Sequence, residues 1–333
     1  MDALSALLRA VKLSGAMFYK SRCTAPWCLH APPSSAFLPY VSPGATHIIE
    51  FHHISEGTAF VRVGAETTPL TAGDIVMIPH GDPHVMGSGI GGAVIDGDKA
   101  MPALMAGEMF LEQFGGGGEN TGLVCGYLAC DGELIKPVLA GLPRVVRANF
   151  REDASGEWFE KTLSHAQEQA AARAPGSDVI LAHLAEVLFA EVLRRYLLSL
   201  PEGRTGWLAG AGDPAVGRAL AELHQRPGHS WTLDELAQAV GVSRSVLSER
   251  FTRYLGQAPM SYLAEWRLEI GAESLRTTSR SVQRVANDVG YESEAAFNLA
   301  FKRRFDLPPA RYRRDWRAQA KPLVARPAAR VAR

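Results

Sequence analysis

Two copies of one helical pattern in the last third of the chain constrain its fold more than any other feature. The first copy begins LAQAVGVS at Leu236 and the second begins VANDVGY at Val285, an offset of 49 residues. In each copy a short helical pattern reaches a glycine, which permits the left-handed backbone of a tight turn, and a second helix follows. This is the pattern of a helix-turn-helix, and its repetition makes it specific. The sequence therefore predicts an all-α domain over 213–316 with helix-turn-helix motifs at 233–255 and 282–305.

The charge of the chain is balanced overall but divided unequally between its two parts. Residues 1–211 hold 15 basic and 22 acidic side chains, whereas residues 212–333 hold 20 basic and 13 acidic ones. The helical repeat thus lies in a part with a net charge of +7. An excess of positive charge favours binding to a polyanion. Together with the repeat, it predicts that the partner is double-stranded DNA.

The first part of the chain has the pattern of a small β-barrel. Between residues 35 and 95, short runs of β-forming residues are separated by glycines and prolines, as in a jelly roll. Leucines and valines recur at helical spacing between residues 156 and 200. We therefore expect an α+β fold, with a β-barrel domain at 1–150, helices at 151–200 that pack on it and dimerise, a linker at 201–212 and a basic flexible tail at 317–333.

The sequence contains no pattern typical of export or of membrane insertion. Its first twenty residues lack the long apolar core and the small-residue cleavage site of a signal peptide. The most apolar stretch, residues 179–200, is interrupted by His183, Glu186, Glu191, Arg194 and Arg195. We therefore expect a cytoplasmic protein without a membrane partner, in which cysteines are reduced.

Motifs in both parts resemble those of the AraC/XylS family of transcription regulators. The second helical copy, VANDVGYESEAAFNLAFKRRFDLPPARYR from residue 285, is similar to that family's signature. The first part resembles the cupin sensor domain of one branch of the family in APWC from residue 25, GDIVMIPHGDPH from residue 73, and CGYLACD from residue 125 with LAGLPRVVR after it. The resemblance implies a cupin-type jelly roll that senses a small-molecule effector and modulates promoter binding. We accordingly expect a homodimeric activator that contacts RNA polymerase and is not an enzyme.

The resemblance also assigns DNA contacts to exposed helix positions, since an α-helix fits the major groove and reads base edges there. The predicted DNA-binding residues are Ser243, Arg244, Ser245, Ser248, Glu249 and Arg250 in the first motif, and Ser293, Glu294, Asn298, Lys302 and Arg303 in the second. Ser243 and Ser293 also have the positions of helix N-caps. Phosphate contacts are expected from the rest of the basic run as well, at Arg304, Arg311, Arg313 and Arg314. One chain should read two major-groove segments about one helical turn, or roughly 10 bp, apart.

Two residues depart from the family pattern. Leu299 stands where many members have arginine, which predicts weaker reading of sequence by the second motif and apolar contact with thymine methyl groups. Gly271 lies inside the helix that links the motifs, where glycine costs roughly 1 kcal/mol relative to alanine. It predicts a less rigid coupling between them.

The barrel has only part of the pattern that resembles a catalytic cupin, Gly-x5-His-x-His-x3–4-Glu-x6-Gly followed by Gly-x5-Pro-x-Gly-x2-His. The second half is complete and ends at His84, and Glu50 has the expected spacing to Gly57. The histidine pair should fall within residues 42–46, which contain no histidine. A catalytic transition metal needs three or four ligands. We therefore expect the interior to bind the effector, through His47, Glu50, His52 and His84. A metal-dependent cupin enzyme with a DNA-binding module is the alternative.

The cysteines form two pairs with equal spacing. Cys23 and Cys28 are five residues apart, as are Cys125 and Cys130, which is not the spacing of a zinc knuckle. On strands, an odd separation places the two members of a pair on opposite faces. One cysteine of each pair could then share a face and form a disulfide switch. Inert buried thiols, a redox-responsive regulator and a zinc-responsive regulator using all four thiols are the three interpretations, and zinc is the one candidate cofactor.

Overall fold

The computed structural model describes residues 1–11, 13, 18–36, 38, 45–89, 91, 93–97, 99, 112–130, 132–151, 154–171, 174–201 and 203–319. The fold is α+β, as predicted. The strands are β1 (Phe18–Thr24), β2 (Trp27–Ala31), β3 (His47–Glu56), β4 (Thr58–Val63), β5 (Glu66–Thr71), β6 (Asp74–Ile78), β7 (His84–Ser88), β8 (Ala93–Asp96), β9 (Glu112–Gly115), β10 (Asn120–Cys130) and β11 (Val146–Asn149). The helices are α1 (Ala3–Val11), α2 (Gly132–Leu139), α3 (Ala154–Ala171), α4 (Ser177–Ser199), α5 (Trp207–Gly212), α6 (Pro214–Gln225), α7 (Leu233–Val240), α8 (Arg244–Leu255), α9 (Pro259–Thr277), α10 (Val282–Asp288), α11 (Glu294–Phe305) and α12 (Pro309–Gln319).

The strands form two sheets that face each other as a jelly roll. One sheet has the order β11-β6-β3-β10-β1-β9 and the other β5-β4-β7-β2-β8. Inward-facing side chains of both sheets make one apolar core, which includes Trp27, Val61 and Leu123. Because side chains alternate along a strand, the neighbouring residues face outward. The outward residues Ile49 and Phe51 of β3 share a second core with helix α4, so β3 is buried on both faces and α4 packs on the barrel, as predicted.

Both helix-turn-helix motifs have the boundaries that the sequence predicts. Helices α7 and α8 form the first motif, and α10 and α11 form the second. The turns are made at Gly241, with φ of 75°, and at Gly290, with φ of 84°. Ser243 and Ser293 cap α8 and α11, because each hydroxyl accepts a hydrogen bond from the backbone N–H three residues later. Local sequence signals therefore determine these motifs.

Gly271 allows a close approach between two helices. It is buried in α9, and a Cβ atom there would lie 3.0 Å from two ring carbons of Phe297 on α11. Phe297 is fully buried in the core of the second motif. The linking helix therefore packs closely on this motif, contrary to the looser coupling that the helix propensity of glycine predicts.

Part of the predicted linker is a buried helix. Residues 207–212 form α5, and Trp207 and Leu208 are buried. The indole N–H of Trp207 donates a hydrogen bond of 2.9 Å to the hydroxyl of Tyr262 on α9. The linker prediction is therefore wrong for this segment, because an aromatic anchor lies among its glycines.

The first three residues of the predicted tail continue α12 rather than being flexible. Arg317 donates a hydrogen bond of 2.9 Å to the carbonyl of Thr278, which fixes this end of the helix. Residues 320–333 of the predicted tail lie outside the described part of the chain. No helix in the described ranges is long and apolar enough to cross a membrane.

The N-terminal helix α1 packs against the DNA-binding part of the chain. Ala3, Leu7 and Val11 form a buried stripe at helical spacing. This stripe belongs to the core that contains Leu220 of α6, and α1 lies along α6. The predicted domain 1–150 is therefore not self-contained, because its first helix is packed with the following domain.

Candidate DNA-binding surface and barrel interior

The reading helix of the first motif, α8, has one buried and one exposed face. Leu247 and Phe251 are fully buried against the rest of the domain. The predicted DNA-binding residues lie on the other face, where Ser248 is half-buried and the rest are exposed: Ser243, Arg244, Ser245, Glu249 and Arg250. The structure therefore brings the predicted contacts of this motif together on one surface.

The reading helix of the second motif, α11, has the same arrangement. Phe297 and Phe301 are buried, and Leu299 is 69% exposed. Of the predicted DNA-binding residues, Ser293, Lys302 and Arg303 are exposed, whereas Glu294 and Asn298 are half-buried. A leucine exposed on a reading helix is suited to contact a thymine methyl group.

Two arginines of the first motif have carboxylate partners. Arg244 lies 3.4 Å from Asp234, and Arg250 lies 3.5 Å from Asp213. The Arg244–Asp234 pair is exposed on both sides, and such pairs contribute about 0–1 kcal/mol to stability, so a phosphate can compete for Arg244. Arg250 is exposed, but its partner Asp213 is largely buried as the N-cap of α6.

The basic residues at the end of the second motif divide into two groups. Lys302 and Arg303 are exposed and have no ion-pair partner among the described residues. Arg313 instead donates hydrogen bonds to the carbonyls of Leu275 and Arg280, at 3.2 and 2.5 Å. We therefore expect Lys302 and Arg303 to contact phosphates, whereas Arg313 is engaged in holding α12 against the end of α9.

Arg304 joins the second motif to the N-terminal domain. Its Nη2 atom lies 2.6 Å from Glu269 of α9 and 3.4 Å from Glu133 of α2. Burial raises the pKa of Glu269 to about 7, against the opposing effect of Arg304. A side chain expected to contact a phosphate is therefore already paired with two carboxylates, one from each domain.

A cleft of about 840 Å³ lies beside Arg304, between the two domains. It is lined by α2 on one side and by α5, α8 and α9 on the other, with Trp207, Tyr254 and Trp266 in its walls. This volume is within the range of small-molecule sites. The cleft cannot be predicted from the sequence patterns, because its lining residues are distant along the chain. The sequence feature that could have indicated a packed wall here is Trp207, which lies among the glycines of the predicted linker.

The barrel interior contains a buried layer of polar side chains. Glu50 and His52 of β3 face inward and meet His84 of β7, which belongs to the opposite sheet. The Nε2 atoms of the two histidines are 2.8 Å apart. One ligand atom from each of the three side chains lies within 4.8 Å of the others. They are 7%, 2% and 3% exposed, respectively, so three of the four predicted ligand-binding residues are brought together.

Hydrogen bonds determine where the protons of this layer lie. Nδ1 of His84 is 3.0 Å from the carbonyl oxygen of Asp82, and Nδ1 of His52 is 2.7 Å from Sγ of Cys125 on β10. A carbonyl only accepts, so His84 donates from Nδ1 and has its lone pair on Nε2. His52 then donates from Nε2 to His84 and accepts at Nδ1 from the Cys125 thiol. The sequence does not predict this contact of Cys125.

Burial keeps the polar layer uncharged. It raises the pKa of Glu50 to about 8. It lowers the pKa of His52 well below 6.5, with His84 adding to the effect. The pKa of His84 is also lowered by burial. Oε1 of Glu50 has no hydrogen-bond partner among the described residues. An unsatisfied buried polar atom costs about 1–3 kcal/mol, so a cation or a hydrogen-bond donor would stabilise this carboxyl group.

His47 lies outside this layer, so its prediction as an interior ligand is wrong. It points to the outer face of β3, as Ile49 and Phe51 do, and its Nε2 lies 2.7 Å from the carbonyl oxygen of Pro79. His53 is also on the outer face, 3.2 Å from Glu160 of α3. The adjacent histidines 52 and 53 therefore face opposite ways, as alternation along the strand predicts.

The cysteines are all free thiols, and the positions of Cys23, Cys125 and Cys130 exclude a zinc site that uses all four thiolates. Cys125 and Cys130 lie five residues apart on the extended strand β10, a distance of about 16 Å. Cys23 pairs with Thr121, four residues from Cys125, or about 13 Å along the strand. A disulfide requires Cα atoms about 4–7 Å apart, so Cys23 and Cys125 cannot be bridged in this structure, and the four thiols cannot share one zinc ion. Burial raises the pKa of Cys23 to about 11 and that of Cys130 to about 12, which favours inert thiols.

Comparisons with known proteins match both parts of the chain. A cupin family model matches residues 2–198, and a helix-turn-helix domain model matches residues 236–315. A protein described as an AraC-like transcription regulator of Streptomyces antibioticus is 32% identical over 274 residues, which cover 81% of this chain and 88% of that protein. The HTH-type transcriptional regulator AlkR of Acinetobacter baylyi is 28% identical over 329 residues, which cover 95% of this chain and 100% of that protein. The solved DNA-binding domain of AdpA, a global transcriptional factor, in complex with a target DNA is 28% identical, with a TM-score of 0.32, and covers 34% of this chain and 100% of that chain.

These matches agree with the architecture. The cupin match coincides with the jelly roll and the helices that cover it, and the helix-turn-helix match coincides with both motifs. Both of these relatives are described as transcription regulators. The chain is therefore a DNA-binding transcription regulator that belongs to the AraC family and has an N-terminal cupin domain.

Proposed function

We propose that this regulator binds promoter DNA through both helix-turn-helix motifs and that a small-molecule effector of the cupin domain changes its promoter affinity. The observation that carries the proposal is the contact of Arg304, on reading helix α11, with Glu133 of the N-terminal domain. A second contact is made by α1, which packs along α6 next to the first motif. A change of conformation in the N-terminal domain can therefore reach both motifs.

The DNA-binding half of the proposal is tested with the full-length protein. Duplexes are selected from a random pool by the protein itself, and their affinity is measured by fluorescence anisotropy at increasing KCl concentration. We expect tight binding to the selected sequences and a steep fall of affinity with salt, because phosphate contacts release counterions. Equal affinity for selected and unselected duplexes would contradict promoter recognition.

The effector half is tested by a thermal-shift screen of small metabolites, followed by anisotropy with each stabilising compound. Coupling between sites typically changes affinity by about 5–150-fold. In the Glu133→Gln variant, which weakens the Arg304 contact, we expect a smaller change than in the parent protein. Glu157→Gln is the matched control, since it breaks an exposed ion pair with Lys161 within α3. Stabilising compounds that leave DNA affinity unchanged contradict the effector half.

A homodimer is the second part of the proposal. Helix α4 packs on the barrel with one face, while Ile180, Val187 and Leu198 on the other side of the helix are exposed. Trp158 of the neighbouring helix α3 is also exposed. Such a stripe can pair with its own copy about a two-fold axis. Sedimentation should show a dimer for the parent and a monomer for Val187→Glu, with Ser199→Glu, which lies away from the stripe, as control. A parent protein that sediments as a monomer refutes this part.

A thiol-based redox response is a second candidate function, favoured by the 2.7 Å contact between Cys125 and His52. This contact places a proton acceptor, Nδ1 of His52, directly beside the thiol whose proton must leave when an oxidant reacts with it. Single Cys23→Ser and Cys125→Ser variants would be compared with the parent for DNA affinity before and after oxidant. The candidate requires an oxidant-dependent change that Cys125→Ser abolishes, and an unresponsive parent protein excludes it.

A further inference from the structure

We infer that Glu50, His52 and His84 bind one divalent transition-metal ion of the zinc type, with Cys125 as a positioning residue behind His52. The inference deepens the proposed function, because it assigns a ligand class to the cupin domain. The role of the ion as a signal rests on that proposal, whereas the existence of the site does not.

The three donors suit such an ion in kind and in position. Two imidazole nitrogens and one carboxylate are a ligand set of zinc sites that keep a fourth position for water or another ligand. At zinc–nitrogen distances of about 2.0–2.1 Å, tetrahedral donors lie about 3.3 Å apart. The two Nε2 atoms are 2.8 Å apart, and all three donors lie within 4.8 Å. Small side-chain rotations therefore bring the three atoms to coordination distance.

The ligand set differs from the cupin-enzyme pattern discussed above. That pattern places a histidine pair ahead of Glu50, where this sequence has none. His52, two residues after Glu50 on the same inward face of β3, supplies the missing imidazole. The site follows from the residues of this chain rather than from the enzyme motif.

The position of Cys125 gives it its role: its Sγ lies 2.7 Å from Nδ1 of His52, where it orients the imidazole whose Nε2 faces the other ligands. In the hydrogen-bonded layer without an ion, His52 holds a proton on Nε2, and this proton must leave when Nε2 binds the metal. Nδ1 then takes the thiol proton of Cys125 and donates a hydrogen bond back to the thiolate. The Glu50 carboxyl group also loses its proton. The ion, the carboxylate and the thiolate together sum to zero charge, whereas a net charge in so buried a layer would be costly.

The test is calorimetric titration of the EDTA-treated full-length protein with zinc chloride near neutral pH, in buffers of different ionisation enthalpy. We expect one ion per chain and the release of about two protons, one from Glu50 and one from the His52–Cys125 pair. Glu50→Gln and His84→Gln should abolish tight binding. Cys125→Ser should weaken it by about 10–100-fold and reduce the release to about one proton.

His53→Gln is the matched control, because this histidine is adjacent in sequence and buried but lies on the opposite face of β3. Its affinity and proton release should equal those of the parent. A cobalt(II) titration adds a readout independent of affinity: ligand-field bands are expected without a thiolate charge-transfer band, since Cys125 is not a ligand. Circular dichroism and thermal melts establish that each variant is folded.

The outcomes separate this inference from the proposed function. Absent binding in the parent, or tight binding retained in folded Glu50→Gln and His84→Gln, overturns the metal site, whatever the DNA affinity. An intense thiolate-to-cobalt band overturns the position assigned to Cys125. Sequence-selective DNA binding without zinc binding overturns the metal site and leaves the proposed promoter binding intact. Zinc binding without sequence-selective DNA binding supports the metal site and contradicts promoter recognition.

Discussion

Three basic residues near the end of the second motif should give different results when replaced by alanine. Lys302 and Arg303 are exposed without an ion-pair partner in the described part of the chain, whereas Arg313 binds two backbone carbonyls. Each phosphate contact contributes about 0.9 to the slope of log K against log salt concentration for B-DNA. The double variant Lys302→Ala/Arg303→Ala should therefore reduce the magnitude of this slope by about 1.8. Its free energy of unfolding should change by less than about 0.5 kcal/mol, as is usual for exposed positions.

Arg313→Ala should show the opposite combination. It leaves the carbonyls of Leu275 and Arg280 without their charged donor. We expect a loss of about 1–3 kcal/mol in unfolding free energy, with the salt slope unchanged where the variant is folded. The assays are anisotropy of a mixed-sequence duplex over a range of KCl and urea unfolding followed by circular dichroism. Equal salt slopes for the parent and the double variant, or a larger slope change for Arg313→Ala, would refute this division of roles.

Three further predictions concern stability. Tyr262→Phe should cost about 2–5 kcal/mol in urea unfolding, since it leaves the Trp207 indole N–H and the His224 ring without the hydroxyl that bonds both; a loss below about 1 kcal/mol contradicts this. Burial lowers the pKa of His224 to about 3, so only the unfolded chain takes up this proton as the pH falls from 6.5 to about 3. The contribution of this group to stability is therefore complete above pH 6.5 and lost towards pH 3, and urea unfolding of His224→Gln should vary less over this window than that of the parent. Gly57→Ala should cost more than about 1 kcal/mol, because φ is 73° and the new Cβ would lie 2.0 Å from the carbonyl oxygen of Asn120; unchanged thermal stability excludes this strain.

The DNA-binding domain is predictable from sequence because its signals are local. Each motif contains its own signals: a glycine at the turn, a serine cap at the reading helix and buried phenylalanine on that helix. Each feature restricts the backbone within a few residues of itself. The boundaries of both motifs therefore agree with the prediction.

The contacts that were missed depend on pairings distant along the chain. The approach of Cys125 to His52 depends on the register of β10 against β3, and the five-residue spacing of the cysteines contains no information about that register. His47 was misassigned because the prediction did not apply the alternation of side chains along β3, which places His47 on the opposite face from Glu50 and His52. Trp207 was missed because glycine-rich segments are usually exposed.

The packing of α1 on α6 gives this protein an unusual order of assembly during synthesis. Helix α1 is synthesised early and also contacts α2, but its contacts with α6 wait until the chain has been made as far as Gln225. The jelly roll can therefore form while part of the apolar stripe of α1 is still exposed, and exposed apolar surface in such intermediates promotes aggregation. The contact that completes this core joins α1 of the cupin half to α6 of the DNA-binding half, so the core around α1 is complete only after α6 has been made.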